Sequence, residues 1–336
     1  MVAVRPGGIG GAATVAAMPS APAIAPTVEA LPVRDARAAR RGHYAEFYGE
    51  RPLPSDPYGL VLGNCQAESL RIVLDSEQAP WIRVPPVFEL DDADLPHLRR
   101  AVAGASFVVA QPVRDDYRGL PIGSEQLRGL ARGDFATVPS VRFAGLHPAH
   151  LVLRDPGFVH GDPPLVPYHD LRVLAEAVGD RRVPERPSAA AVLSIAELSR
   201  DELRSRELRA GTDVIASDLF DEPGAGLMRT INHPGNPVLL AVGDRLLRRL
   251  GLPAPATDPG RPLLTSVIAP REEAVIEALG LRDEPPLEHW IVNGAPLAVD
   301  EVRQAHLDWY ARRPDLVAYA WRRAQPTVER WMDGGR

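Results

Sequence analysis

The chain has 336 residues, 45% of them apolar and 24% charged, a composition typical of soluble globular proteins that form one large or two modest domains. Its net charge of −6 at neutral pH argues against general nucleic-acid binding, so no nucleic-acid partner is expected. All 38 basic residues are arginine, which excludes a Schiff-base lysine and the lysine of a phosphate-binding P-loop. Any bound phosphate must therefore meet arginine, backbone N–H groups or a metal.

Residues 1–41 are rich in alanine, proline and glycine and show little periodicity, which predicts a disordered leader. Pro19, Pro22 and Pro26 interrupt the apolar stretch that a secretory signal needs, so we expect a cytoplasmic protein. The letters at 8–13 match a dinucleotide-binding fingerprint, but no strand precedes them and no helical pattern follows. No run approaches the roughly 20 apolar residues of a membrane span, and none is expected.

Strand-like and helix-like segments alternate from residue 58 onward, after a short predicted helix in 40–57. This alternation predicts an α/β fold, a mostly parallel sheet flanked by helices in three SGNH- or Rossmann-like layers. The predicted strands are 58–62, 82–84, 105–110, 136–141 and a further candidate at 192–195. The predicted helices are 66–75, 94–103, 123–131 and 168–178, and a helical pattern also covers 189–209. In open sheets of this kind ligands bind outside the carboxyl ends of the strands, where 63–66, 111–118 and 142–148 are expected.

The turn 63–66 follows the first predicted strand and contains Asn64, Gln66 and the only cysteine, Cys65. Backbone N–H groups and the positive end of the helix dipole gather at a helix start, where a thiolate or an oxyanion is stabilised. A lone cysteine is also often a small buried core residue. The two flanking amide side chains favour a hydrogen-bonding site, so Cys65, Asn64 and Gln66 are candidate catalytic residues.

The segment 111–118 follows the third predicted strand and places Arg114 and Arg118 on either side of two aspartates. One interpretation is a solvated turn with local ion pairs, which stabilise little. The other is a ligand-binding loop in which an arginine meets a phosphate or a sugar hydroxyl while Asp116 orients a histidine.

Four histidines, at 147, 150, 160 and 169, fall in a long proline-rich segment. Their spacing repeats no metal-ligand pattern, so no metal is expected. A long irregular segment inside a compact domain is more often functional than idle. We therefore assign His147 and His169 to a substrate-binding pocket.

His233 precedes Pro234, which favours an extended backbone at the histidine and restricts its geometry. This position suits a general base. The alternative is a histidine that only hydrogen-bonds to the helix cap, for which Asn236 is the candidate residue at the start of a helix over 237–250.

Five segments, in this order, resemble the WcbI family of polysaccharide-biosynthesis enzymes. They are Gly63–Gln66, Gln111–Arg118, Pro139–Pro148, Pro167–Asp170 and Asn232–Asn236. The resemblance covers residues 58–252 and implies a coenzyme A-binding acetyltransferase that acts on capsular sugars. It thus implies coenzyme A or acetyl-CoA as donor, with a sugar or related hydroxyl metabolite as acceptor.

On this interpretation the site residues fall into three groups. The catalytic residues are Cys65, His233, Asn64, Gln66 and Asp116. The coenzyme A-binding residues are Gly63, Arg114, Arg118, Tyr117, Asn232 and Asn236. The acceptor-binding residues are Gln111, His147 and His169.

Two mechanisms stay open at this stage. In the first, His233 takes the acceptor proton while Cys65, Asn64 and local N–H groups stabilise the oxyanion. In the second, Cys65 attacks the thioester and carries the acyl group covalently. Two other functions also stay open, a hydrolase that uses water as acceptor and a non-catalytic module that binds a glycan or a nucleotide.

The α/β catalytic domain is predicted over 42–252 and ends at a proline-rich break, 253–262. The remainder predicts a helical C-terminal extension, with amphipathic helices near 270–280, 298–312 and 315–332. Much of the aromatic content lies there, at Trp290, Trp309, Tyr310, Tyr319, Trp321 and Trp331. A lid, a homodimer surface or a small second domain would each explain this pattern.

Overall fold

The computed structural model describes residues 33–55, 57–77, 79–153, 161–281 and 285–333. Residues 41–336 form one compact unit. Most of the predicted leader, residues 1–32, lies outside the described residues. The last residues of that segment belong to a helix, Val33–His43.

The helices, in chain order, are α1 (Val33–His43), α2 (Ala45–Tyr48), α3 (Cys65–Leu74), α4 (Leu95–Gly104), α5 (Ser124–Arg128), α6 (Leu171–Ala177), α7 (Ala189–Ala210), α8 (Asn236–Arg249), α9 (Glu273–Leu279), α10 (Val299–Tyr310) and α11 (Pro314–Asp333). The strands are β1 (Gly59–Leu62), β2 (Trp81–Ile82), β3 (Phe107–Ala110), β4 (Asp134–Thr137), β5 (His150–Leu151), β6 (His169–Asp170), β7 (Met228–Thr230), β8 (His233–Pro234), β9 (Val267–Ile268), β10 (His289–Val292) and β11 (Ala295–Ala298). In the described part of the chain, no helix combines the length and the apolar character needed to cross a membrane.

The central sheet has four parallel strands in the order β2-β1-β3-β4. The chain passes from β1 to β2 on one side and then crosses back to β3 on the other side of β1. Ligands of open α/β sheets bind where the strand order reverses in this way, between the carboxyl ends of the two strands. Because Leu62 pairs with Ala110, and Ala110 with Thr137, the turns after β1, β3 and β4 begin side by side.

Both faces of the sheet are covered by helices, since side chains alternate along each strand. Val61 and Val109 face a core built with α3, α7 and α8. Leu60 and Val108 face a second core built with α2, α4 and α5. The structure therefore confirms the predicted parallel sheet flanked by helices.

Two predicted strands differ from the structure. The last strand of the sheet ends at Thr137 instead of 141, and the chain then runs as an extended loop beneath the site. Residues 192–195 belong to α7, where the Ser188 side chain accepts a hydrogen bond from the N–H of Ala191 and begins the helix. A short apolar run does not by itself distinguish a strand from a buried helix, and here the helical cap decides.

The C-terminal region contains the predicted helices as α9, α10 and α11, and it also contains an antiparallel sheet, β11-β10-β9, that sequence analysis missed. Asn293 and Gly294, both with positive φ (51° and 83°), form the turn between β10 and β11. The Asn-Gly pair is a strong hairpin signal.

The C-terminal aromatic residues pack inside the same chain. The ring N–H of Trp331 donates to the carbonyl of Pro184 over 3.0 Å, and the Trp331 side chain is buried. Tyr310 is hydrogen-bonded to His169, and Trp290 stacks on Tyr168. The region after residue 253 is therefore part of the compact unit and not a separate body.

Candidate functional site

The turn between β1 and α3 is held in shape by its neighbour after β3. A Cβ atom on Gly63 would lie only 2.3 Å from Oε1 of Gln111, so any larger residue would force the Gln111 side chain or the turn to shift. The Asn64 side chain accepts a hydrogen bond from the N–H of Gln66 over 2.9 Å and caps α3. Half-buried Cys65 is thereby the first residue of α3, one residue before the predicted helix start at 66.

Gln66 and Gln111 form a buried amide network beneath this turn. The Gln66 amide nitrogen donates to the carbonyls of Val141 (2.7 Å) and Asn232 (2.8 Å), and its oxygen accepts from the N–H of Val141 (2.9 Å). Gln111 donates to Gln66 over 3.2 Å and accepts from the N–H of Asn64 over 2.8 Å. Both amides are thus used within the protein. These hydrogen bonds hold the turn in place, and the predicted catalytic role of Gln66 and substrate-binding role of Gln111 stay predictions.

A cavity of about 360 Å³ opens at the carboxyl ends of β1 and β3. Seven predicted site residues line it together: Gly63, Asn64, Cys65, Gln111, Arg114, Tyr117 and Asn232. In the described part of the chain, the charged residues that line it are Arg114 and Arg142, and neither Asp nor Glu is among them. The site at the edge of the sheet is therefore cationic around the single thiol.

A second cavity of about 410 Å³ adjoins the first, since Pro112, Ser140 and Arg142 line both. Its other charged residues are Arg206 and Arg209, from the C-terminal end of α7. Arg206 donates to the carbonyl of Arg142 over 3.3 Å, which ties α7 to the loop after β4. Partial burial lowers the pKa of Arg206, yet a guanidinium keeps its charge at neutral pH.

Sequence analysis assigned no role to these three arginines. Arg142 lies directly after a predicted strand end, a signal that could have identified it. Arg206 and Arg209 look like surface residues of an ordinary charged helix, and nothing in their spacing indicates which part of the sheet they approach.

The loop after β3 agrees in part with each of the two interpretations of its sequence. Arg114 and Tyr117 line the Cys65 cavity. Asp116 is exposed and hydrogen-bonded to Gln126 (2.8 Å), and Arg118 donates to the carbonyl of Phe88 (2.5 Å). Both have positive φ, and both bind within the loop and its surroundings, as expected for a solvated turn. Their predicted catalytic and coenzyme A-binding roles find no support in this geometry.

Asn236 is the first residue of α8 and not its cap, a position that Gly235 occupies. The Asn236 side chain accepts from the N–H of Leu263 (3.0 Å) and donates to the carbonyl of Arg261 (2.9 Å). It therefore holds the segment that leads into the C-terminal region, instead of binding coenzyme A as predicted.

His233 lies on β8, next to the cavity-lining Asn232, but is itself not among the residues that line the Cys65 cavity. Burial lowers the pKa of His233, so the imidazole is neutral at pH 7. In the described part of the chain its buried Nδ1 has no hydrogen-bond partner. A neutral imidazole with an unused nitrogen retains the properties of a base.

His147 and His169 are buried away from the Cys65 cavity. Nδ1 of His147 is hydrogen-bonded to the carbonyl of Pro270 (3.1 Å), and Nδ1 of His169 to the hydroxyl of Tyr310 (2.7 Å). Burial lowers the pKa of His147 to about 3 and that of His169 to about 4. They connect the long loop to the C-terminal region, whereas an acceptor-lining role was predicted. His160 lies outside the described residues.

Comparisons with known proteins identify the family and the fold. A family model described as polysaccharide biosynthesis enzyme WcbI matches residues 58–255. A solved structure of WcbI, called a novel polysaccharide biosynthesis enzyme, has 19% sequence identity and a TM-score of 0.67, and the match covers 82% of this chain and 99% of that one. That protein is described in a native form without a disulfide bond between coenzyme A and one of its cysteines. At this identity the similarity shows the fold.

No curated protein matches the chain. The family model spans more than half of the 336 residues. It includes the central sheet, the Cys65 turn, both arginines of the Cys65 cavity and the segment around Asn232. The chain therefore belongs to the WcbI family of polysaccharide biosynthesis enzymes.

Proposed function

We propose that this protein transfers an acyl group, acetyl in the simplest case, from coenzyme A to a hydroxyl of a sugar or related metabolite. One observation carries the proposal: Cys65 begins a helix in a cavity whose charged residues are arginines, and that cavity adjoins a second one with two more. Coenzyme A combines a thioester at one end with phosphates at the other. On this proposal the thioester lies at Cys65, and the arginines beside it bind the phosphates.

The comparisons support the same donor and acceptor class. The structurally similar WcbI is described in relation to coenzyme A and a cysteine. Family membership in polysaccharide biosynthesis favours a saccharide hydroxyl as the acceptor. The acyl transfer itself is our proposal for this chain.

In direct transfer, the acceptor oxygen attacks the thioester carbonyl carbon, the carbon–sulfur bond breaks, and the coenzyme A thiolate takes up a proton. Negative charge develops on the carbonyl oxygen. The Asn64 side chain, which donates to the Ser140 hydroxyl over 2.8 Å, and the start of α3 are the candidate groups to stabilise that charge. His233, neutral and next in sequence to the cavity-lining Asn232, is the candidate base.

In the covalent alternative, the Cys65 thiolate attacks the thioester and coenzyme A leaves before the acceptor reacts. The two routes differ in kinetics. Direct transfer requires both substrates to be bound together, whereas the covalent route gives ping-pong kinetics and an acylated Cys65.

The donor is tested by calorimetric titration of the full chain with coenzyme A and with pantetheine, which lacks the nucleotide. The double variant Arg206→Ala, Arg209→Ala should bind coenzyme A about tenfold more weakly and pantetheine unchanged, since the arginines meet only phosphates. Arg204→Ala, an exposed arginine of the same helix, serves as the matched control. No binding at millimolar coenzyme A would contradict the proposal.

The reaction is tested with acetyl-CoA and a pool of monosaccharides, comparing Cys65→Ser with the unaltered chain. A loss of about a thousandfold or more, together with ping-pong kinetics, identifies Cys65 as the nucleophile. A modest loss with a ternary-complex pattern identifies it as part of the oxyanion turn. If the thioester is cleaved equally fast with and without an acceptor, the protein is a hydrolase and not a transferase.

A further inference from the structure

Another cavity, of about 470 Å³, lies elsewhere, between β5, β6 and α6 on one side and the C-terminal region on the other. Residues around β6, α9, β10 and α10 form its walls, and it shares no lining residue with the Cys65 cavity. Its volume falls in the range of about 300–1,000 Å³ found for small-molecule sites. The mechanism above uses none of its residues.

Acidic residues outnumber basic ones in this cavity, whereas the charged residues of the Cys65 cavity and the cavity next to it are arginines. Six carboxylate residues line it, against four arginines: Asp170, Glu185, Glu272, Glu273, Glu288 and Asp300 against Arg172, Arg186, Arg271 and Arg303. Arg172 is already bound to Asp170 (2.6 Å) and to Glu272 (3.0 Å). An anionic ligand would therefore meet an excess of negative charge, while a ligand with hydroxyl groups would find both donors and acceptors.

One wall is aromatic. The Trp290 ring stacks on His150 with centroids 4.8 Å apart and on Tyr168 with centroids 5.8 Å apart. His150 and His306 both line the cavity, and in the described part of the chain Nδ1 of each has no hydrogen-bond partner. This wall therefore combines aromatic rings with two imidazoles.

We propose that this cavity binds an uncharged sugar residue of a saccharide, at a site separate from the Cys65 cavity. A sugar ring presents apolar C–H faces that pack on aromatic side chains, and hydroxyls that donate to carboxylates and accept from guanidinium groups. The Tyr168 hydroxyl donates to Asn232 over 2.8 Å, so a side chain of this cavity contacts a residue of the Cys65 cavity. The proposal does not depend on acyl transfer.

The test is saturation-transfer NMR of the full chain without coenzyme A, using the methyl glycosides of glucose, galactose and mannose, with glucuronate as an acidic probe of similar size. At least one glycoside should bind with millimolar affinity, and glucuronate should bind at least about tenfold more weakly. Binding by none of the glycosides overturns the proposal, and so does equally tight binding of glucuronate.

A bulky substitution in the cavity tests whether the glycoside binds there. Val299, at 38% exposure, lines the cavity from the start of α10, so Val299→Trp should weaken glycoside binding at least about tenfold. Leu193→Trp, at 51% exposure on α7, is the matched control and should leave binding unchanged. If Val299→Trp does not fold, Glu288→Ala removes an exposed carboxylate from the same wall and should also weaken binding. Unchanged binding in the folded variant overturns the assignment.

A Cys65→Ala variant separates this proposal from the acyltransferase. It should bind the glycoside with unchanged affinity, because the two cavities share no lining residue. Loss of glycoside binding in Cys65→Ala would place the sugar at the thiol and overturn the separate site. The coenzyme A titration is independent of this result in either case.

Discussion

At the scale of single residues, the Cys65 turn depends on two amide side chains that are hydrogen-bonded within the protein. Gln66 is 2% exposed, and its side chain connects the turn to the segments that follow β3 and β4 and to Asn232. These segments supply most of the cavity wall. A buried polar side chain with all its partners in place specifies one arrangement, because any other leaves donors and acceptors unsatisfied.

Gln66→Met keeps the volume and removes the hydrogen bonds. We expect a loss of about 2–4 kcal/mol in the free energy of unfolding, since the N–H of Val141 and the amide of Gln111 stay buried without a partner. Urea unfolding measures the loss. Gln304→Met, at an exposed position of α10, is the control and should change stability little. A loss below about 1 kcal/mol for Gln66→Met would contradict the network.

Gly63→Ala tests the close approach of the two turns. The added Cβ would lie 2.3 Å from Oε1 of Gln111, so the turn must shift, which costs about 1–3 kcal/mol of stability and weakens ligand binding in the Cys65 cavity. Gly42→Ala is the control, because a Cβ there has no atom within 4 Å. Equal stability of the two variants in thermal unfolding would argue against a tight contact.

At the scale of elements, α7 carries the arginines of the second cavity and is anchored close to them. Glu207 is buried in its last turn and accepts hydrogen bonds from the N–H groups of Ala216 (2.7 Å) and Ser217 (3.0 Å) and from the Ser217 hydroxyl (2.6 Å). This carboxylate fixes the end of the helix against the chain that follows. The positions of Arg206 and Arg209 depend on it.

Glu207→Leu should lower the free energy of unfolding by about 2–4 kcal/mol, because two buried N–H groups lose their acceptor. It should also weaken coenzyme A binding through displaced arginines. Glu197→Leu, at an exposed position of the same helix, is the control for both measurements. If Glu207→Leu is destabilised but binds coenzyme A with normal affinity, Glu207 does not hold the two arginines in their binding positions.

At the scale of the whole molecule, buried histidines make stability depend on pH. Burial lowers the pKa of His147 to about 3 and those of His150 and His169 to about 4, whereas the unfolded chain titrates near the ordinary value of 6.5. Below about pH 6.5 the unfolded state takes up protons that the folded state does not. The stability contributed by the neutral histidines is full above that pH and is lost as pH falls toward the folded values.

Urea unfolding at about pH 7.5 and about pH 5 should therefore show a decrease in the free energy of unfolding, with each histidine contributing up to about 1.4 kcal/mol per pH unit. A His147→Gln variant should show a shallower dependence, since one of the titrating groups is gone. Constant stability across this interval would mean that these histidines are not buried as described.

The C-terminal region should not be separable from the rest. Trp331 and Tyr310 are buried against the segments that contain Pro184 and His169, and Trp290 stacks on Tyr168. A chain cut after residue 252 should lose cooperative unfolding and aggregate, because these contacts leave apolar surface exposed. Circular dichroism and calorimetry measure the unfolding. A cooperative transition in the shortened chain would mean that the C-terminal region is a small second domain.

The local features of the fold and the site were predictable from sequence. The alternation of strand-like and helix-like segments indicated the parallel sheet, and the polar turn before Ala67 indicated the start of α3, because propensity, periodicity and capping act over a few residues. The five motif segments, by their order along the chain, identified the family. The hairpin at Asn293-Gly294 carried a signal, but its strands are only four residues long and Pro286 and Pro296 obscure them.

Only the tertiary structure decided which polar side chains face a ligand and which face each other. Gln66 reaches partners 45, 75 and 166 residues away, and Arg206 meets the loop after β4 across 64 residues. Such contacts depend on how the helices pack on the sheet, which local periodicity does not encode. The sequence by itself determined most elements of the central sheet and its helices, the Cys65 turn and the family. Long-range packing turned His147 and His169 into interior residues and gathered the arginines beside Cys65.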